Sequence, residues 1–305
     1  MASITRWLDT ECKVLDTSIA NIRGIVKREC DFETTTKYCN WKIDIDFGEV
    51  KKIKLNNNEI RYSYCWISFD TIRPGNEPVE DRTTHNKCFV IAYFSGVNVN
   101  YIIDRNSDAK RILRSLLNYS GRNEIIENNY SIDSNMFIWL ISKVYYNQNI
   151  LEGNNEGDPD IILKSIRGFK GDSADCLTKI SASGESVMKV ISTLSFLLES
   201  RNINQIKIEI EYGNHGCIEV ELNINKTIKI DISKYVGEYL LDIKEEKIIK
   251  LYLLFYLEIF PKIIQLYQNE KEEELWNNEI NVKFLEDLGQ ALTESIETRI
   301  NILKK

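Results

Sequence analysis

The sequence predicts an α+β fold: antiparallel β-meanders and hairpins with segregated helices, arranged as two lobes and closing on two long C-terminal helices. Three observations predict it. Short segments of alternating apolar and polar residues cluster at 41–69, 88–103 and 205–232, separated by turn residues, and hairpin-linked strands of this kind form antiparallel sheets. Residues 244–304 are mostly helical in pattern. A polar stretch near the midpoint, NQNILEGNNEGDPD, carries two glycines and a proline, which marks a linker. The expected organisation is an N-terminal α+β lobe at 1–147, a linker at 148–160, and a C-terminal α+β lobe at 161–305 that ends in the helical pair.

In chain order, Trp7, Leu8, Leu15, Ile19, Ile22 and Val26 fall at helical spacing and predict a helix over 5–28. Trp41, Ile43, Ile45 and Phe47 alternate with Lys42, Asp44 and Asp46, the period of a half-buried strand. Strands over 50–55 and 60–69 flank the Asn56-Asn57-Asn58 turn. Residues 70–87 read as a long polar connection with Pro74-Gly75 and Pro78. A hairpin follows around Ser95-Gly96, then a helix over 108–117 that Asn106 or Ser107 could cap. Residues 136–146 are apolar and aromatic, a pattern that fits strand and helix equally. A strand at 161–166, a helix from Ser183 or Glu185 to Leu198, a hairpin around Gly213-Asn214-His215-Gly216 and a strand at 227–232 complete the second lobe. The two helices are placed at 244–269, kinked at Pro261, and at 281–304.

Composition excludes several classes. Hydrophobic residues are 43% and charged residues 28%, so a disordered chain is excluded. The net charge of −7 argues against a wholesale basic coating for nucleic acid. The seven cysteines are scattered with no C-x-x-C pair, and His85 and His215 are the two histidines. A zinc site or a Ser-His-Asp triad has almost no raw material. The expected state is reduced thiols in the cytoplasm. No signal peptide is recognisable at the N-terminus. The most apolar run, 248–266, carries Lys250, Glu258, Lys262 and Pro261, so a buried helix is expected rather than a membrane span. Heavy use of Ile, Asn and Lys points to a low-GC bacterial or phage source.

Several constellations could carry chemistry. Glu49-Val50-Lys51, with Asp31 upstream, has the elements of a PD-(D/E)xK nuclease, in which carboxylates hold Mg²⁺ and the lysine stabilises phosphate charge. Glu209, Glu211, Glu219 and Glu221 alternate with apolar residues and so share one face of a hairpin. Like charges opposite one another are destabilising, so solvent, Lys207 and Lys229, a metal or a basic partner surface must offset them. Arg167-Gly168-Phe169-Lys170-Gly171-Asp172 reads as a tight turn, with a weaker likeness to a phosphate-approaching Gly-x-x-Gly loop. Lys51, Lys52, Lys54, Arg61, Tyr62 and Tyr64 interleave base and aromatic residues, as nucleic-acid-binding strands do. Lys110, Arg111, Arg114 and Arg122 form a second basic cluster. In the last helix Leu285, Leu288, Leu292, Ile296, Ile300 and Leu303 are spaced 3, 4, 4, 4 and 3, a narrow stripe suited to another helix.

These residues define no catalytic set. The reading that follows is a non-catalytic binding or assembly subunit of a bacterial or phage multiprotein complex, with phage defence as one setting, no cofactor and no membrane. Its partner surfaces are the acidic hairpin, the 70–87 connection and the C-terminal stripe, which would engage a protein partner or a second copy. The alternatives are a Mg²⁺-dependent nuclease at Asp31, Glu49 and Lys51, and a nucleic-acid-binding module on the basic-aromatic strands.

Overall fold

The computed structural model describes residues 4–27, 37–55, 58–94, 96–121, 123–153, 158–173, 179–183, 198 and 200–304. It is α+β, with antiparallel sheets and two long C-terminal helices. Its contacts divide the chain into Met1–Asn129 and Tyr130–Lys305. The division falls ahead of residues 148–160, because the helix Ser134–Tyr145 packs on the strands of the second unit. Within that polar stretch, Ile150–Leu151 pairs as a strand, and the Gly153 N–H donates to Asp160 at 2.9 Å.

In the first unit, β1 (Thr5–Asp9), β2 (Lys37–Ile45), β3 (Lys51–Leu55), β4 (Asn58–Ile72), β5 (Thr83–Phe94), β6 (Val99–Ile103) and β7 (Ile125–Glu127) form one sheet. Its order is β2-β4-β5-β6-β1-β7, with β3 pairing β4. Helices α1 (Leu15–Arg23) and α3 (Ala109–Leu117) cover one face, and α2 (Val79–Arg82) is a single turn. Leu15, Ile19 and Ile22 of α1 and Ile112, Leu113 and Leu116 of α3 meet Cys65, Ile67, Cys88 and Val90 in a buried cluster. Each such side chain contributes about 1.5–3 kcal/mol relative to exposure. Asn118, in the left-handed region at φ 62°, ends α3, and the Tyr119 N–H reaches back to the Arg114 carbonyl at 2.9 Å.

Two expectations are corrected here. Residues 5–9 are a strand, so the first helix spans only Leu15–Arg23. The cause is long-range: β1 fills the slot between β6 and β7. The buried Asp9 carboxylate then turns the chain, accepting from the Glu11 and Cys12 N–H groups and from the Tyr101 and Tyr119 hydroxyls. The connection after residue 69 is also shorter than its polarity implies. β4 runs to Ile72 and β5 begins at Thr83. Polar cross-strand pairs, Asp70 with His85 and Thr71 with Thr84, extend the ladder where apolar alternation has stopped, and the Asn86 amide donates diagonally to the Thr71 hydroxyl. His85 is therefore a strand residue. Arg82 closes the remaining loop by donating to the Glu77 and Arg73 carbonyls.

In the second unit, β8 (Ile150–Leu151), β9 (Ile161–Ser173), β10 (Lys179–Ser183), β11 (Ser200–Tyr212), β12 (His215–Asn223) and β13 (Ile228–Ile230) form the sheet β10-β9-β11-β12-β13, with β8 on the edge of β9. Gly168 and Gly171 lie inside β9, opposite Lys207 and Ile203 of β11. The Gly-x-x-Gly segment is thus a strand interior, not a turn or a loop. Ser183, one of the two starts expected for a helix to Leu198, is instead the last residue of β10; residues 174–178 and 184–197 lie outside the described residues.

The ambiguous 136–146 segment is the helix α4 (Ser134–Tyr145), opened by Asp133, whose side chain accepts from the Met136 N–H at 2.7 Å. Helices α5 (Lys244–Leu254) and α6 (Phe260–Glu272) are joined by one widened π-turn, Phe255–Ile259. Pro261 has no N–H and its ring crowds the carbonyl four residues back, so a π-turn lets the helix continue past it. Lys262, one residue on, is buried. It donates to the Tyr212 hydroxyl at 2.6 Å and faces Asp158 and Glu258 at 3.6 and 3.9 Å. Burial, with Glu258 accepting its proton, pushes the Tyr212 phenol up. The last helix, α7 (Asn278–Leu303), starts at Asn277, which caps the Ile280 N–H. Among the described residues no helix is long and apolar enough to cross a membrane.

Candidate functional site

The long helix α7 is held at one end and bare at the other. Near its start, Phe284 packs edge-on against Tyr145 and Tyr146 at the end of α4, with ring centroids 5.6 and 5.9 Å apart. The Tyr146 hydroxyl donates to Asp287 at 2.5 Å. Leu288 is fully buried at 0% exposure. Leu285, one turn before it, and Leu292, one turn after it, are half-buried; further on the stripe loses its cover, with Ile296 and Ile300 43% and 44% exposed and Leu303 76% exposed. Gly289, on the same side of the helix by its spacing, has open space where a side chain would project. A 26-residue helix is about 39 Å long at 1.5 Å per residue, so its uncovered half offers several turns of apolar surface.

A groove runs between α4, β8, the end of α6 and the start of α7. It has two chambers, of about 550 and 420 Å³, which share Lys143, Gln148, Glu270 and Leu275. Lys143 and Glu270 form an ion pair of 2.7 Å in it, and the Trp139 indole N–H donates to the same carboxylate at 2.8 Å. Ile150, Leu151, Glu152, Leu266 and Glu273 line the larger chamber. Trp276, Ile280, Lys283 and Asp287 line the smaller. Sequence reasoning missed this groove, since its walls come from four elements spread over residues 142–287. The signal within reach was the run Glu272-Glu273-Glu274-Leu275, acidic residues ending on an exposed leucine.

The acidic hairpin is folded as the alternation predicts. Ile208, Ile210, Ile218 and Val220 are buried, and Glu209 stands directly opposite Glu219. Its charge, however, is matched within the chain. Arg167 of β9 binds Glu209 through Nε at 2.7 Å and through its terminal nitrogen. Lys164 binds Glu211 at 2.6 Å. Glu219, itself buried, takes Lys207 at 2.5 Å and Lys234 at 2.8 Å. Glu221 lies opposite Lys207 on one side and Lys229 on the other. Burial alone would raise the Glu219 carboxyl; the two ammonium donors outweigh it and hold the group below the usual carboxylate range.

Of the residues of the nuclease reading, two are described. Asp31 lies outside the described residues. Glu49 sits in the bend before β3, not on a strand, and Lys51 is the first residue of β3, its ammonium over the Tyr64 ring at 5.6 Å. No group of three or more His, Cys, Asp or Glu that could hold a metal ion occurs among the described residues. Of the basic-aromatic set, Tyr62 is wholly buried and Tyr64 nearly so, which removes them as stacking platforms in this conformation. Lys52 pairs with Glu59 at 2.8 Å, Arg61 approaches Asp16 at 3.5 Å, and Lys54 is exposed on β3. On α3, Arg111 lies over the Tyr38 ring and Arg114 faces Glu124, while Arg122 lies outside the described residues.

The two histidines have separate environments. His85 is exposed and pairs with Asp70 at 2.5 Å, and Asn40, at a bulge of β2 with φ 52°, donates to the same carboxylate at 2.7 Å. Asn40 first, and His85 after it, hold the Asp70 carboxyl below its usual range. His215 is buried against Tyr235, 2.7 Å from its hydroxyl, and burial lowers its pKa. Cys12, Cys39, Cys65 and Cys88 are buried free thiols, and burial raises the pKa of Cys65 and Cys88. Compared with protein-family models and with curated proteins, the sequence finds no match.

Proposed function

We propose that the chain is a non-catalytic assembly subunit that docks onto a protein partner through the uncovered half of α7. The observation that carries this reading is the continuity of one apolar stripe from a packed region into open solvent. Leu288 is buried while Ile296, Ile300 and Leu303 repeat its spacing and are exposed. An exposed row of this regularity marks an interaction site, and its narrow width fits a second helix better than a flat surface. The setting favoured by the Ile-, Asn- and Lys-rich composition is a bacterial or phage complex in the cytoplasm, phage defence among the candidates.

Ile300→Glu tests the reading. The variant is expected to fold with an unchanged thermal midpoint and to lose association with the partner or with a second copy, read as molecular mass by light scattering. An unfolded or insoluble Ile300→Glu chain would make the stripe part of the core and end the proposal.

A further inference from the structure

We infer that the groove between α4, β8, α6 and α7 is a docking site for a basic amphipathic peptide segment of a partner protein. The inference does not depend on the α7 stripe. Four observations carry it. The groove has room for an occupant, since its chambers of about 550 and 420 Å³ lie within the range of about 300–1,000 Å³ typical of ligand-binding clefts. It is apolar where it is most open: Ile150 is 57% exposed and Leu275 58% exposed, with Leu266 beside them in the larger chamber. Glu152 and Glu273 line the same chamber, both exposed, and neither forms an ion pair among the described residues.

The fourth observation is the charge balance. Four carboxylates, Glu152, Glu270, Glu273 and Asp287, line the two chambers against Lys143 and Lys283. Lys143 is already engaged by Glu270 at 2.7 Å. The larger chamber therefore holds two uncompensated carboxylates, Glu152 and Glu273, together with exposed aliphatic surface. An occupant that places a Leu or Ile on Ile150, Leu266 and Leu275 and a Lys or Arg between Glu152 and Glu273 satisfies both features. An acidic or uniformly polar segment satisfies neither. Charge complementarity also predicts binding that weakens as salt screens it, over a Debye length of about 8–10 Å near physiological ionic strength.

The test uses the full chain and three fluorescein-labelled ten-residue probes: alternating Leu-Lys, alternating Leu-Glu and alternating Gly-Lys. Anisotropy is expected to show saturable binding of the Leu-Lys probe alone. Glu152→Lys and Glu273→Lys are each expected to weaken it about tenfold, as is Leu275→Asp. All three positions are exposed, so circular dichroism should show the wild-type fold. Equal binding of the Gly-Lys probe would reduce the site to nonspecific charge attraction and overturn the inference. So would binding unaffected by Glu273→Lys and Leu275→Asp, or no binding of the Leu-Lys probe.

Discussion

The β11–β12 hairpin and the helix α7 each place a row of like side chains on one face of an element, and the fold treats the two rows oppositely. Three glutamates of the hairpin row pair with cations of the same chain, and the fourth is in register with two. Glu209 has Arg167, Glu211 has Lys164, Glu219 has Lys207 and Lys234, and Glu221 stands between Lys207 and Lys229. Four of those cations, Lys164, Arg167, Lys229 and Lys234, come from outside the hairpin. The helix row is buried at Leu288, half-buried at Leu285 and Leu292, and exposed from Ile296 onward. A row of charges on a central strand has neighbours on both sides to supply counter-charges. A helix extending past the element it packs on has none. Of the surfaces that the residue pattern offers to a partner, the hairpin is therefore the one whose charge is already matched within the chain, and the proposed docking surface is the end of the helix stripe.

Substitutions along α7 sharpen this contrast most strongly. Leu288→Ala should remove about 2–5 kcal/mol, the usual cost of emptying a buried leucine site, read as a lower midpoint in urea. Ile300→Ala, the same kind of truncation three turns later, should stay within about 0.5 kcal/mol of wild type. Equal losses at the two positions would erase the distinction between packed and bare halves.

Next in size is Glu219. Removing its carboxylate strands Lys207 and Lys234 beside a buried site, and Glu219→Ala should cost about 1–3 kcal/mol, towards the lower figure because both lysines reach solvent. Its pH dependence has a definite sign. The folded carboxyl lies below its ordinary value of 4.5, so the stabilisation is present above pH 4.5 and is lost as pH falls through the folded value. Glu219→Gln should flatten the acid limb of a stability-versus-pH profile. Asp104 of the first unit is the converse, a carboxylate in which burial outweighs the Phe89 N–H bond and the nearby Arg105. Its carboxyl is pushed up to about 7. Its contribution is fully present below the ordinary value of 3.8 and is lost as pH rises through about 7. Asp104→Asn should therefore gain stability relative to wild type at pH 8 and show little gain at pH 3.

The smallest effect belongs to Glu211, whose pair with Lys164 is about one-third exposed on both sides. Glu211→Gln should cost about 0.2–1 kcal/mol, and 0.5 M NaCl should remove most of that difference.

The parts of this molecule that local pattern can specify were legible in its sequence. Period-2 alternation located β2, β11 and β12, and helical spacing located α7 and the helix interrupted at Pro261. The misplaced elements share a physical cause. Residues 5–9 carry apolar side chains at spacings that a helix also allows, and their strand state is decided by β6 and β7, about 100 positions away. Asp70 and His85 extend a ladder through a polar pair that no apolar alternation announces. Of the candidate site, the α7 stripe was visible because it is local. The matching of Glu209 and Glu211 by Arg167 and Lys164 was not, since β9 supplies both cations from more than 40 residues upstream. The groove was invisible for the same reason.

The measurement that tests the central claim most directly is sedimentation equilibrium of wild type and Ile300→Glu, with the folded state of each checked by circular dichroism. The account predicts two equally folded chains, with association of the wild type, alone or with its partner, absent in the variant. A variant that unfolds, or one that associates as the wild type does, would contradict it.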